Sequence, residues 1–126
     1  MTVRFDAIGV VVADLTTALD FYGRLGLEFG EPVGGHVEAE LPGGFRLLLD
    51  TEDNIREFRP SWQGGTGRIG LAFRCADPAA VDRLYTVLTE SGYHGAVPPF
   101  DAVWRQRYAT VHDPDGNSVD LYAALD

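Results

Sequence analysis

The sequence predicts an α+β fold made of two related modules, each with a strand, a helix and then two or three further strands. The first observation is an internal repeat, because residues 8–25 resemble residues 71–88 and Asp14 corresponds to Asp77, a shift of 63 positions. The second is that apolar residues follow strand spacing before each of these aspartates and helix spacing after it. A duplicated unit that cannot bury its own apolar face packs against its copy, so the repeat constrains the whole architecture.

The first module begins with a strand that we predict within residues 3–13, where alternation gives way to an apolar run. Asp14 suits the N-cap of the helix that follows, and Gly26 ends it. The apolar stripe of this helix is Leu15, Ala18, Leu19, Tyr22 and Leu25. Two strands are predicted over residues 37–41 and 45–50, joined by a tight Pro-Gly-Gly turn.

The second module repeats this order, with a strand predicted over about residues 69–75. Asp77 and the proline after it form an N-cap and first-turn pair, and Gly92 lies near the end of the helix. Its apolar stripe is Val81, Leu84, Tyr85 and Leu88. Strands are predicted over residues 104–111 and 118–122, and the Asp-Pro-Asp-Gly-Asn sequence between them is typical of a turn.

The segment that joins the modules, residues 51–67, is polar and ends in glycines, yet it contains Phe58 and Trp62. A free linker rarely carries two large aromatic residues, so we expect this segment to pack over something. Two interpretations stay open: the pair closes a ligand cavity as a lid, or it simply caps the core.

The composition is that of a globular protein, with 45% apolar and 23% charged residues, and the length suits one domain over residues 1–126. We place its modules at about 1–57 and 66–126.

No apolar run approaches the roughly 20 residues of a membrane helix, and no signal peptide is visible. A net charge of −9 without a Lys/Arg cluster argues against a nucleic-acid partner. The single cysteine, Cys75, excludes an internal disulfide and fits a reducing, cytoplasmic compartment, where we expect it on a buried strand.

The strands predict a sheet with one apolar face and one mixed face, because successive side chains point to opposite sides. On the last strand Val119 and Leu121 suit the helix side, which leaves Asp120 and Tyr122 on the other. Arg74 alternates with apolar residues on the first strand of the second module and is expected on the mixed face as well. Such a mixed face is suited to a ligand cleft.

Aromatic residues are the main candidates for lining this cleft. Trp104, Gln106 and Tyr108 share one side of their predicted strand, and Phe100 precedes them. Flat rings give a large contact area and stack on conjugated ligands. The alternative is that these rings belong to the ordinary core or to a dimer interface.

Asp120 is the one acid that we expect inside the cleft, where it would accept a hydrogen bond from a ligand or act as a general base. A buried carboxylate needs a partner, so a structural pairing with Arg74 or Arg107 is the alternative. We expect the three histidines to be surface or loop residues: His36, His94 and His112.

Three stretches together resemble the vicinal-oxygen-chelate superfamily, which includes glyoxalase I, extradiol dioxygenases and bleomycin-resistance proteins. They are the strand ending in Val-Ala-Asp14, the helix with Phe-Tyr-x-x-Leu-Gly-Leu over residues 21–27, and Asp-Pro-Asp-Gly-Asn-Ser-Val-Asp-Leu over residues 113–121. The resemblance covers essentially the whole chain. It implies paired βαβββ modules whose curved sheets enclose a cavity, usually in a homodimer.

The catalytic branches of that superfamily hold a divalent metal on histidines and a glutamate. By position, the first-strand histidines correspond to Ala7 and Gly70, the last-strand carboxylate corresponds to Asp120, and its counterpart in the first module is Leu48. Of these four residues only Asp120 is able to coordinate an ion. One carboxylate does not hold a catalytic metal, which commonly has about three protein ligands. The resemblance therefore implies no metal, no cofactor and no catalytic residue.

The resemblance is closest to the non-metal antibiotic-resistance branch, which implies a non-catalytic protein that sequesters an aromatic or drug-like natural product. Two other classes stay open. One is a lyase or dioxygenase, either metal-dependent with atypical ligands or metal-free with Asp120 as its base. The other is an interaction module without a small ligand. In each case we expect neither a nucleic-acid nor a membrane partner.

Overall fold

The computed structural model of the chain describes residues 6–58, 60–65 and 69–126. The chain divides into two compact units, residues 1–65 and residues 66–126. None of the helices in these described stretches has both the length and the apolar character that crossing a membrane requires.

The first unit is a three-stranded sheet with two helices. Its elements are β1 (Ala7–Val12), α1 (Leu15–Arg24), β2 (His36–Glu40), a short 3₁₀ helix (Pro42–Gly44), β3 (Arg46–Thr51) and α2 (Glu52–Phe58). The sheet order is β1-β3-β2, with β1 parallel and β2 antiparallel to β3. Two isolated antiparallel bridges, Phe29 with Ala39 and Val33 with His36, join the segment before β2 to that strand.

The second unit is a complete βαβββ module. Its elements are β4 (Leu71–Arg74), α3 (Pro78–Glu90), β5 (Gly95–Ala102), β6 (Gln106–His112) and β7 (Ser118–Ala124). The sheet order is β4-β7-β6-β5, with β4 parallel to β7 and the other pairs antiparallel. The predicted α+β fold class is confirmed.

Both long helices begin at the aspartates that mark the repeat. The Asp14 carboxylate accepts from the Thr17 backbone N–H at 2.9 Å, and the Asp77 carboxylate accepts from that of Ala80 at 2.8 Å. Both helices end before glycines with positive φ, Gly26 at 91° and Gly92 at 98°. These caps confirm the predicted helix boundaries to within a residue or two.

One strand boundary and two whole elements differ from the prediction. The strand predicted from Trp104 begins at Gln106, because residues 103–105 form a turn in which Arg105 has a φ of 68°. Strand β5 was not predicted, since Pro98 and Pro99 and two register shifts interrupt its alternation. Helix α2 was not predicted within the polar segment 51–67, where an i,i+4 ion pair between Glu52 and Arg56 supports a short helix without an apolar stripe.

The core of the second unit lies between α3 and one face of its sheet. Val119 and Leu121 of β7 are fully buried, as are Ala109 and Val111 of β6 and Leu88 of α3. The opposite side chains of β6 and β7 are only partly buried. The sequence alternation thus places a mixed face, which we call the open face, on the side of the sheet away from α3.

The turn between β6 and β7 is held by Asp113, which is 4% exposed. Its carboxylate accepts from the backbone N–H groups of Asp115 at 2.9 Å and Asn117 at 2.8 Å, and from the Asn117 side-chain amide at 2.8 Å. Gly116 adopts the predicted positive φ, at 87°. The Asp-Pro-Asp-Gly-Asn sequence is therefore a structural device that fixes how β6 pairs with β7.

Candidate ligand-binding site

The open face of the second unit brings together polar side chains from two adjacent strands. Tyr108 lies opposite Tyr122, and Thr110 lies opposite Asp120. Side chains that face each other across an antiparallel pair are about 5 Å apart at Cβ, so they interact directly.

The Asp120 carboxylate is the polar centre of this face. It accepts from the Tyr108 hydroxyl at 2.5 Å and from the Thr110 hydroxyl at 2.8 Å. Hydroxyl donors to an ionised carboxylate form short, strong hydrogen bonds. The bond to Asp120, reinforced by burial, raises the pKa of Tyr108 to about 12. The Tyr108 hydroxyl is consequently a proton-bearing donor at physiological pH.

These contacts overturn the arginine pairing that was the structural alternative for Asp120. Arg107 does not reach it, because Arg107 points to the helix side of β6 and binds Asp82 of α3 at 2.9 Å and Asp101 at 3.1 Å. Its neighbours Gln106 and Tyr108 point the other way, so strand alternation alone rules the pairing out. Arg74, the other expected partner, forms no ion pair with any described residue.

Three aromatic rings form a cluster beside Asp120. The centroid of Trp104 lies 5.3 Å from that of Tyr108 and 6.2 Å from that of Phe100, with interplanar angles of 83° and 89°. Phe100 and Tyr108 are 6.3 Å apart. The Trp104 indole N–H donates to the Gln106 side-chain oxygen at 2.9 Å. We call Phe100, Trp104 and Tyr108 the aromatic cluster; two of its members remain open to a ligand, with Phe100 38% and Trp104 55% exposed.

A cleft of about 590 Å³ lies at the carboxyl end of β4. Its walls include Arg74, Cys75, Asp77, Gln106 and Tyr122, all from the second unit. Drug-sized ligands occupy pockets of about 300–1,000 Å³, so the volume suits a small molecule. Cys75 is half-buried and follows β4 rather than lying on it, and burial is the main cause of its raised thiol pKa.

The two residues predicted as a lid belong to the first unit. The Trp62 ring is half-buried, with the Arg56 guanidinium 5.1 Å from its centroid, a cation–π arrangement. The side chain of Phe58 lies outside the described part of the structure. Closure of a cavity by this pair stays a prediction.

A polar network in the first unit was missed by the sequence analysis. His36 Nδ1 lies 2.6 Å from Asp50, and His36 Nε2 lies 2.8 Å from Glu38. Arg46 then bridges Glu38 at 2.8 Å and Asp6 at 2.5 Å. The bonds to Glu38 and Asp50 raise the pKa of His36, and the bonds from His36 and Arg46 lower the pKa of Glu38.

His36 is the first residue of β2, so it lies in a strand rather than a loop, and its half-buried side chain remains 32% exposed. The same side of β2 carries both His36 and Glu38, which is the signal that would have found the network. The other two histidines are neighbours, because the ring centroids of His94 and His112 are 4.9 Å apart. His94 is exposed, in the loop before β5, and His112 ends β6.

The divalent metal held by the catalytic branches of the superfamily does not fit these residues. Strand register places Leu48 opposite Gly9 and Asp120 opposite Ala72, and Gly9 and Ala72 are equivalent at the repeat shift of 63. Leu48 thus stands where the second unit has Asp120, and it has no donor atom. Within the described stretches, no group of three or more His, Cys, Asp or Glu side chains is arranged to hold a metal ion.

Comparison with known proteins agrees with the fold. The sequence profile of the Glyoxalase/Bleomycin resistance protein/Dioxygenase superfamily matches residues 4–121, so the chain belongs to that superfamily. No curated protein shows significant sequence similarity to it.

Three solved structures illustrate the likeness. A glyoxalase-related enzyme from Fulvimarina pelagi has a TM-score of 0.85 at 20% identity, covering 95% of this chain and 87% of its own. A glyoxalase/bleomycin resistance protein/dioxygenase from Nocardioides has a TM-score of 0.76 at 25% identity, covering 100% and 86%. A lactoylglutathione lyase from Agrobacterium tumefaciens has a TM-score of 0.70 at 23% identity, covering 95% and 92%.

Proposed function

We propose that this protein binds a planar aromatic small molecule on the open face of its second unit and does not transform it. The observation that carries the proposal is the partly exposed aromatic cluster beside Asp120. Sequestration of an aromatic or drug-like natural product, as in antibiotic resistance, is the role that this arrangement suits best.

The cluster supports binding because its rings are held in place before a ligand arrives. Each ring contacts the other two edge to face, and the hydrogen bond to Gln106 fixes the Trp104 indole. A preorganised surface loses little conformational entropy on binding. An aromatic pair contributes about 0.5–1.5 kcal/mol beyond the burial of its area, so a few such contacts hold a ligand without covalent chemistry.

The polar groups of the open face support binding more than catalysis. Asp120 already accepts two hydroxyl hydrogen bonds, and Tyr108, with a pKa of about 12, keeps its proton. A general base works best with a pKa near the operating pH. Asp120 and Tyr108 are therefore suited to orienting a ligand by hydrogen bonds. The residues at the family's metal positions, Ala7, Gly70 and Leu48, have no side-chain atom that binds a catalytic metal.

Tryptophan fluorescence tests this proposal. In a Trp62→Phe variant the emission reports Trp104, and we expect a panel of aromatic antibiotics to include compounds that quench it saturably. A Trp104→Phe variant, which retains Trp62, is the matched control and should respond weakly. Absence of quenching by every compound, together with absence of resistance in a host that expresses the protein, would contradict the proposal.

Native mass spectrometry of freshly purified protein provides an independent test. We expect the mass of the protein alone or of the protein with a co-purified organic compound. Stoichiometric zinc, nickel, manganese or iron would instead favour the metal-dependent lyase or dioxygenase. The homodimer implied by the family remains a proposal, and the same spectrum counts the subunits.

A further inference from the structure

We infer that the bound molecule is an aromatic carboxylic acid whose carboxylate is received by Arg74 in the cleft. This inference rests on the proposed function and names the chemical class of its ligand. Three features of the second unit support it: the unpaired guanidinium, the acids around it that are already engaged, and the continuity of the cleft with the aromatic cluster.

Arg74 is unusual because, in a protein with nineteen acidic and ten basic residues, it forms no ion pair with any carboxylate that the structure describes. All ten basic residues are arginines. Among those that the structure describes, the arginines in ion pairs with carboxylates are Arg24, Arg46, Arg56, Arg105 and Arg107. The two without such a pair are Arg74 and Arg83, of which only Arg74 lines the cleft.

The acidic residues in the cleft walls are engaged elsewhere. Asp77 caps α3 through the Ala80 backbone N–H at 2.8 Å, and Asp126 binds Arg105 at 2.5 Å. Neither carboxylate is paired with the Arg74 guanidinium. The guanidinium group of Arg74 in the cleft is therefore available to bind the carboxylate of a ligand.

The cleft and the aromatic cluster are adjacent parts of one surface. Gln106 lines the cleft and also holds the Trp104 indole. Tyr122 lines the cleft as well, and it pairs with Arg74 on one side and with Tyr108 on the other. Adjacent strands are about 4.8 Å apart, so Arg74 and Tyr108 are separated by about 10 Å at the backbone. A two-ring aromatic acid is long enough to contact both.

A carboxylate is the group that matches Arg74 best. The guanidinium is planar and remains charged, and its parallel N–H groups donate to both oxygens of a carboxylate at once. Hydrogen bonds to charged groups contribute more than neutral ones. We expect a ligand that carries a carboxylate to bind about tenfold more tightly than its neutral amide. The expected preference is no larger than this because Arg74 is exposed, and water weakens the interaction.

Naphthoate and naphthamide, which share their rings and differ in charge, are the probes for this inference. Their dissociation constants are measured by Trp104 fluorescence in the Trp62→Phe background, alone and with Arg74→Gln or Arg83→Gln added. Arg83→Gln is the matched control, because Arg83 likewise forms no ion pair with a described residue but does not line the cleft. The unfolding temperature of each variant verifies that it is folded.

We expect the preference for naphthoate to be about tenfold in the parent and in Arg83→Gln, and to be lost in Arg74→Gln. Added salt should weaken naphthoate binding and leave naphthamide binding unchanged. Equal affinities in the parent, or a preference that survives in Arg74→Gln, would overturn the inference while the proposed aromatic binding stands. If neither probe nor any other aromatic compound binds, both the proposed function and the inference are wrong.

Discussion

The Tyr108–Asp120 hydrogen bond gives the sharpest test of how the open face is organised. Replacing Tyr108 by Phe removes one of the two hydroxyl donors to the Asp120 carboxylate and keeps the ring in the aromatic cluster. Hydrogen bonds to charged groups contribute about 1.5–3 kcal/mol, and the partial exposure of this pair favours the low end. We expect Tyr108→Phe to lower the free energy of unfolding by about 1.5 kcal/mol.

A double-mutant cycle with Tyr108→Phe and Asp120→Ala isolates the pair, because each single variant removes one partner of the hydrogen bond and the double variant removes both. Urea unfolding at neutral pH measures the four free energies, with an expected coupling energy of about 1 kcal/mol or more. Tyr85→Phe is the matched control, since its hydroxyl forms no hydrogen bond to a described residue, and it should change stability by less than about 0.5 kcal/mol. A coupling energy below about 0.3 kcal/mol would refute the hydrogen bond as a stabilising contact.

The Tyr108–Asp120 hydrogen bond also makes the stability of the folded protein depend on pH in the alkaline range. The pKa of Tyr108 rises from 10.0 to about 12 in the folded protein, so the folded state holds this proton more tightly than the unfolded state. The associated stability is complete below pH 10 and is lost as the pH rises towards 12. The Tyr108→Phe variant should lack this component when unfolding is followed against pH, and an unchanged alkaline profile would contradict it.

Three further predictions concern the rest of the chain. The raised pKa of His36 means that its contribution to stability is full below the ordinary value of 6.5 and is lost as the pH rises through the folded-state pKa; NMR titration of the ring should give a pKa above 6.5, and His36→Gln should remove this loss. Asp113→Ala should cost about 2 kcal/mol and expose the Asn117 backbone N–H to hydrogen exchange, whereas normal protection of that group would show that the turn does not need the carboxylate. Leu121→Ala should cost about 2–5 kcal/mol by urea unfolding, while Val103→Ala, at a position 94% exposed, should change little; similar costs would contradict the assigned core face.

Local signals in the sequence were sufficient to predict much of the second unit. Asp77 and Gly92 mark the helix ends, because capping depends on residues that are near in the chain. The turn at residues 113–117 also determines the pairing of its strands: His112 faces Ser118, so counting back places Thr110 opposite Asp120. The register that the turn sets therefore predicts that Thr110 is a partner of Asp120, and no arginine is needed.

Other features depend on contacts between residues distant in the chain. His36 meets Asp50 through the pairing of β2 with β3, across a 3₁₀ turn whose length does not determine the register by itself. Trp104 belongs to a turn and not to β6, so strand alternation does not determine where its side chain points. Its position beside Tyr108 agrees with the prediction, but it depends on the conformation of that turn. That Arg74 pairs with no described carboxylate follows only from the three-dimensional structure, which shows where the other described arginines bind.

The position of Cys75 has a practical consequence. It is the single cysteine of the chain, it follows Arg74 directly, and it lines the same cleft. A thiol-reactive dye would therefore attach at one place in the unmodified protein, next to where the carboxylate is proposed to lie. Because burial raises the pKa of this thiol, labelling should be slow at neutral pH and faster in mildly alkaline buffer. The natural sequence thus already contains an attachment point for an optical sensor of cleft occupancy.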